Sequence, residues 1–145
     1  MNLPELNLPK FDFKFHENYI FDEIRKKYIL LTPEEWVRQN IIKYLNQNLS
    51  YPLQLLGIEK QIKVFGTIKR PDIIVFDKKF KPKMIVECKK PEIKITQKTL
   101  NQAINYFLEL KAEYFLLTNG LRHYCCKITN NTCNFLQEIP SFDKL

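Results

Sequence analysis

A chain of 145 residues with 45% hydrophobic and 13% aromatic side chains is long enough for one domain that hides about two thirds of its unfolded surface. That composition excludes a disordered tail, and no apolar run approaches the ~20 residues of a membrane span. With no basic-then-apolar signal segment at the start, the expectation is a cytoplasmic protein without a membrane partner. The net charge of +7 is unevenly spread: between Lys60 and Lys98 stand twelve Lys/Arg against four acids, and the remainder sums to minus one. A basic band of this kind suits a polyanion, with nucleic acid as the first candidate, although a solvated lysine-rich surface gives the same composition.

Residues 1–31 read as an N-terminal β extension. Phe11-Asp12-Phe13-Lys14-Phe15 alternates strictly, and Tyr19-Ile20-Phe21 and Tyr28 to Leu31 suggest two further short strands. Thr32-Pro33-Glu34-Glu35 is a helix start, with Thr32 as N-cap, proline in the first turn and Glu35 at the third helical position. Trp36, Val37, Ile41, Tyr44 and Leu45 then mark one helix face, and the helix is expected to fade near Asn46 to Ser50. Ile58 to Phe65 reads as a strand ended by Gly66, followed by strands at Ile73 to Phe76 and Met84 to Cys88 around a lysine-rich turn. A second helix runs from Thr96 or Gln97 to Leu110, with Leu100, Ala103, Ile104, Phe107 and Leu110 as its buried stripe. Tyr114 to Thr118 is a buried strand. His123 to Ile128 and Thr132 to Leu136 form a closing hairpin around Asn130-Asn131. The order implies an α/β domain over residues 32–145, a central mixed sheet flanked by helices.

The chemistry concentrates on two strings, Arg70-Pro71-Asp72 and Glu87-Cys88-Lys89. Successive strand side chains point to opposite faces, so Glu87 and Lys89 share a face with Ile85, while Met84, Val86 and Cys88 take the other. A hairpin between the two strands brings Asp72 alongside, and two carboxylates and an ammonium then converge. Such a set can hold a divalent metal beside a phosphodiester; cross-strand surface charges are the plainer alternative. Glu35 is explained by the capping box alone, yet its helix start also aims it at the cleft, and Glu34 is an equally available carboxylate. Gln102 and Tyr106 lie one helical turn apart beside the apolar stripe. Lys69, Arg70, Lys90 and Lys94 are candidate phosphate contacts. Four cysteines form no disulfide framework; His123, Cys125 and Cys133 are a weak zinc set without a CxxC knuckle. Cys88 points towards the core and is unsuited as a nucleophile.

These residues resemble the PD-(D/E)xK nuclease superfamily and, more narrowly, the N-terminal nuclease domain of type I restriction enzyme R (HsdR) subunits. The resemblance rests on Thr32 to Arg38, Arg70-Pro71-Asp72-Ile73, Ile85 to Pro91, the Gln102/Tyr106 pair and Leu117-Thr118-Asn119-Gly120. It implies a restriction-endonuclease-like core and an endonuclease that hydrolyses phosphodiester bonds, with DNA as its substrate. Asp72, Glu87 and the Cys88 backbone carbonyl would hold Mg²⁺, with Mn²⁺ as substitute. Lys89 would orient the attacking water and stabilise developing charge, Glu35 would assist from behind, and Gln102 would steady the site. R subunits carry a helicase-type motor after this domain. The expectation here is therefore a free-standing nuclease, or a part acting with helicase or specificity chains or with copies of itself. A non-catalytic nucleic-acid-binding module of the same fold is the alternative.

Overall fold

The computed structural model describes residues 2–145. Its centre is a six-stranded mixed sheet. In chain order the strands are β1 (Phe15–His16), β2 (Tyr19–Asp22), β3 (Lys27–Leu30), β4 (Leu56–Ile58), β5 (Ile62–Val64), β6 (Thr67–Lys69), β7 (Ile73–Phe76), β8 (Pro82–Cys88), β9 (Tyr114–Thr118), β10 (His123–Thr129) and β11 (Thr132–Leu136). Helix α1 spans Pro33–Lys43 and α2 spans Gln97–Leu110. The large sheet runs β11-β10-β9-β8-β7-β4, with β1-β2-β3 and β5-β6 forming smaller sheets. Only β8 and β9 pair in parallel within the large sheet, because α2 carries the chain back along a sheet face between them.

Alternation along the central strands builds two apolar layers. Ile73, Val75, Met84, Val86, Cys88 and Leu116 face α1 with Val37, Ile41 and Leu45. Ile74, Ile85, Phe115 and Leu117 face α2 with Phe107 and Leu110. Cys125 and Cys126 divide between the layers, as neighbours on a strand must. All four cysteines are free thiols. No helix among the described residues is long and apolar enough to cross a membrane.

The mixed α/β architecture and central sheet follow the sequence reading, with two local departures. Phe11 to Phe15 is not a continuous strand. Only Phe15–His16 pairs as a strand, and Phe13 packs on Trp36 at 5.1 Å between ring centroids. Trp36 Nε1 donates to the Pro4 carbonyl at 2.9 Å. The strand expected over Ile58 to Phe65 is broken at Glu59, whose φ is +50°, so β4 joins the large sheet while β5 turns out into a hairpin with β6. Helix α1 continues past Lys43 as a π-helical turn over Tyr44–Asn48 and so ends within the Asn46 to Ser50 stretch expected from the sequence.

Candidate active site at the end of strands β7 and β8

The β7–β8 register pairs Ile73 with Val86 and Ile74 with Ile85, so one step further Asp72 stands opposite Glu87. Asp72 Oδ2 accepts the Cys88 backbone N–H at 2.7 Å, which fixes the aspartate against the end of β8. Lys89 N donates to the Thr118 carbonyl at 2.8 Å, extending the parallel pairing just far enough to hold Lys89 beside Glu87. Glu87, Lys89, Thr99, Gln102, Ala103, Tyr106 and Leu117 line one cavity of about 200 Å³ between sheet and α2. The two carboxylates, the lysine and the Gln102/Tyr106 pair read from the sequence thus meet at one end of the sheet.

The electrostatics of this pair are those of crowded like charges. Burial first, and then the Asp72 carboxylate, push Glu87 up to about 8, the response expected when two carboxylates share a desolvated site. Burial and the negative charge of Glu87 and Asp72 also raise the Tyr106 phenol to about 12, so it remains a donor at neutral pH. A raised carboxyl pKa means the folded state holds the proton more tightly than the unfolded chain. Stability therefore falls as pH rises from the unfolded value near 4.5 towards 8. Glu87→Gln should accordingly stabilise the chain by about 2 kcal/mol at pH 8 in metal-free buffer and by little at pH 4.5. Urea unfolding at the two pH values checks this.

Glu35 is placed differently from the sequence expectation. Thr32 Oγ1 accepts the Glu35 N–H at 3.0 Å, so the cap is present. The Glu35 carboxylate, however, turns to the N-terminal strands: Arg25 Nη2 donates to it at 3.1 Å and Gln39 Nε2 at 3.0 Å. Arg25 and Gln39 also bind the fully buried Asp22, whose carboxyl is held below its usual range by Arg25 and Gln39 hydrogen bonds that outweigh burial. Glu35 thus anchors α1 to β2 and reaches Asp72 only through Arg38. Glu34 is the helix carboxylate that senses the site: burial, then Asp72, raises it, while Arg38 and Lys89 pull it down.

Two further residues escaped the sequence reading. The Arg38 guanidinium, 5% exposed, lies among four carboxylates: Glu59 at 3.3 Å, Asp72 at 3.5 Å, Glu34 at 3.7 Å and Glu35 at 3.8 Å. Its Nε and Nη1 make no hydrogen bond among the described residues; it acts through charge rather than as a bidentate fork. Glu59 enters because its left-handed backbone ends β4 and lets its N–H donate to the Asp72 carbonyl at 3.1 Å. Arg38 stood inside the helix motif, and its i, i+3 and i, i+4 spacing to Glu35 and Glu34 was the available signal.

The basic residues divide. Arg70, Lys90 and Lys94 are exposed near the site end, and Lys69 is half-buried, 3.7 Å from Glu109 and 5.7 Å from the Tyr106 ring centroid. Lys78, Lys79, Lys81 and Lys83 follow the β7–β8 turn to the opposite end of those strands. The basic band of the sequence therefore does not all surround the carboxylates, and Lys83 is paired with Glu113 at 2.6 Å. The zinc alternative fails. Both ring nitrogens of His123 are engaged, by Thr118 Oγ1 and the Asn7 carbonyl, and Cys125 and Cys133 belong to opposite faces of the sheet. Cys88 is buried, and burial holds its thiol far above the usual range, so it is no nucleophile.

The donor set fits a hard divalent cation better than a soft one. Asp72 and Glu87 offer oxygens with lone pairs beyond those used by Cys88 N–H and Arg38. Burial and the Asp72 charge that raise Glu87 would both be offset by a bound positive charge. Among the described residues no three His, Cys, Asp or Glu side chains are grouped so that they could hold one metal ion, so main-chain oxygen and water would complete the shell, as Mg²⁺ tolerates.

Comparison with known proteins follows the same line. No curated protein matches the chain. A proposed nuclease belonging to DUF820 from Anabaena variabilis ATCC 29413 shares the fold, with a TM-score of 0.51 at 15% identity over 90% of this chain and 87% of that one. Residues 33–140 match the family described as type I restriction enzyme R protein N terminus (HSDR_N). From α1, through the Asp72 and Glu87-Cys88-Lys89 strands, to the closing hairpin, the chain belongs to that family.

Proposed function

We propose that this protein is a divalent-metal-dependent endonuclease acting on DNA. The observation that carries the reading is the convergence of Asp72, Glu87 and Lys89 at one end of the sheet, with Glu87 raised by burial and then by Asp72. Asp72, Glu87 and the Cys88 carbonyl would hold Mg²⁺ or Mn²⁺, which when bound would supply Lewis-acid stabilisation of the charge developing on a phosphodiester. Lys89 would donate to the attacking water and to the phosphate oxygen gaining negative charge. Gln102 and Tyr106 would donate into the same cavity, and Glu34 would help orient the water from the α1 side. Glu35 would contribute through Arg38 and the helix start. Arg70, Lys90 and Lys94 would contact flanking phosphates, with Lys69 positioned beside Tyr106. Translocation and sequence choice, where a larger assembly requires them, would come from helicase or specificity chains.

The test is a calorimetric titration of the purified chain with Mn²⁺ at pH 7 in two buffers of different ionisation heat. One site should bind with release of close to one proton, because Glu87 holds a proton until the cation arrives. Asp72→Ala and Glu87→Ala should both abolish the heat. A chain that binds DNA in a salt-sensitive manner but takes up no metal would instead be a non-catalytic binding module.

A further inference from the structure

Arg38 is a cation that the fold itself supplies to the carboxylates of the site. It stands on α1 one turn after Glu34 and Glu35, at the spacing that brings the three together on one helix face, and its guanidinium reaches Asp72 at the head of β7. The two Asp72 oxygens are held unequally. Oδ2 accepts the Cys88 backbone N–H at 2.7 Å, a short charge-assisted bond that the β7–β8 pairing keeps in place. Oδ1 is met by Arg38 Nη2 at 3.5 Å, the outer limit of a hydrogen bond. One oxygen is locked to the backbone, and the other is held by charge at long range.

An arginine that serves stability alone is expected to close a bidentate fork on one carboxylate. Arg38 instead spreads its charge over Glu59 at 3.3 Å, Glu34 at 3.7 Å and Glu35 at 3.8 Å as well. Its Nε and Nη1 make no hydrogen bond among the described residues, although the side chain is only 5% exposed. Buried donors without partners are uncommon and costly. Glu35 is already committed elsewhere, accepting from Arg25 and Gln39 at 3.0–3.1 Å. This loose arrangement suits a guanidinium that can let Asp72 go. Three other carboxylates remain around it, so no unpaired buried cation is left behind.

We propose that Arg38 is a positioning residue that stands in for the metal: it holds Asp72 Oδ1 in the metal-free chain, yields that oxygen on metal binding, and so sets how tightly the metal is held. This rests on the metal-site reading above and adds the residue that competes for the site. Removing the guanidinium frees Oδ1 and deepens the negative field around it. Metal uptake should then tighten while the metal-free fold loses its counter-charge. An arginine that merely braced Asp72 would give the opposite result, because its loss would loosen a metal ligand and weaken uptake.

The test is calorimetric titration of the wild type, Arg38→Gln and Arg38→Lys with Mn²⁺ at pH 7, beside urea unfolding of each at rising Mn²⁺. Arg38→Gln should bind about 10- to 100-fold more tightly than the wild type. It should unfold at lower urea without metal and gain more from each addition of Mn²⁺ than the wild type does. Arg38→Lys, which keeps the charge, should stay within a few-fold of the wild-type affinity. A second measurement does not depend on the glutamine variant folding: the Arg38 Nε–H signal in the ¹⁵N spectrum of the wild-type chain should shift as Mg²⁺ is added. Equal or weaker uptake by a folded Arg38→Gln, or an Arg38 signal unmoved at saturating Mg²⁺, would overturn the competing role while leaving the metal site intact. Absence of metal uptake by all three proteins would overturn the metal-site reading, and the role of Arg38 with it.

Discussion

Replacing Lys89 by alanine is expected to lower the rate constant for DNA cleavage by about 10²- to 10³-fold, with KM and the urea midpoint little changed. Lys89 is half-buried on the cavity wall beside Glu87, and no ion pair ties it to the rest of the fold among the described residues. Its charge is therefore free to act on groups that arrive with the substrate. Negative charge grows on a phosphate oxygen only as the reaction proceeds, so the lost interaction belongs to the transition state and the deficit appears in kcat. Asp72→Ala should be as inactive for a different reason, and less stable as well. It removes a carboxylate opposite Glu87, the acceptor for Cys88 N–H and a partner of Arg38. Initial rates on a labelled duplex at saturating Mg²⁺, beside urea unfolding of each variant, separate the two cases.

Arg38→Met should be the most damaging change to the fold among the charged residues, at about 3–5 kcal/mol near pH 7. Methionine fills much of the volume but leaves four carboxylates facing one another. Glu34 and Glu59 are half exposed, and water screens them. Glu35 and Asp72 are 8% and 14% exposed, and the penalty comes mainly from them. The sign of the pH dependence follows. Without the guanidinium the ionised carboxylates repel one another unopposed, so the deficit of the variant grows as pH climbs above the unfolded carboxylate range. The deficit should be largest at neutral pH and shrink towards pH 4, where the carboxylates take up protons. Chemical unfolding of both proteins across that interval measures it. A deficit independent of pH would point to packing rather than charge.

The parts of this fold legible in the sequence are those fixed by local chemistry. Thr32-Pro33 announced the start of α1, and the apolar run Tyr114 to Leu117 marked a strand buried on both faces. Strand alternation alone placed Glu87 and Lys89 together and turned Cys88 away from them. What the sequence hid depends on distant partners. Glu34 and Glu35 are neighbours at a helix start, and the one committed to structure is chosen by Arg25 and Asp22 on the β2–β3 segment. The break at Glu59 carries no glycine or proline to mark it; its left-handed backbone is held by the Asp72 carbonyl and the Arg38 guanidinium. Charge counting along the chain merged Lys78 to Lys83 with the lysines of the site, because a hairpin carries residues close in sequence to opposite ends of a strand.

A metal-dependent phosphodiesterase centre at Asp72, Glu87 and Lys89 has a direct consequence in solution. It is tested most directly by incubating the purified chain with single- and double-stranded DNA and RNA in Mg²⁺, in Mn²⁺ and in EDTA, beside Asp72→Ala and Lys89→Ala prepared identically. The expected result is cleavage of DNA by the wild type in either metal, none in EDTA, and none above background by either variant. Cleavage persisting equally in both variants, or no cleavage of any nucleic acid by a wild-type chain that remains folded, would contradict it.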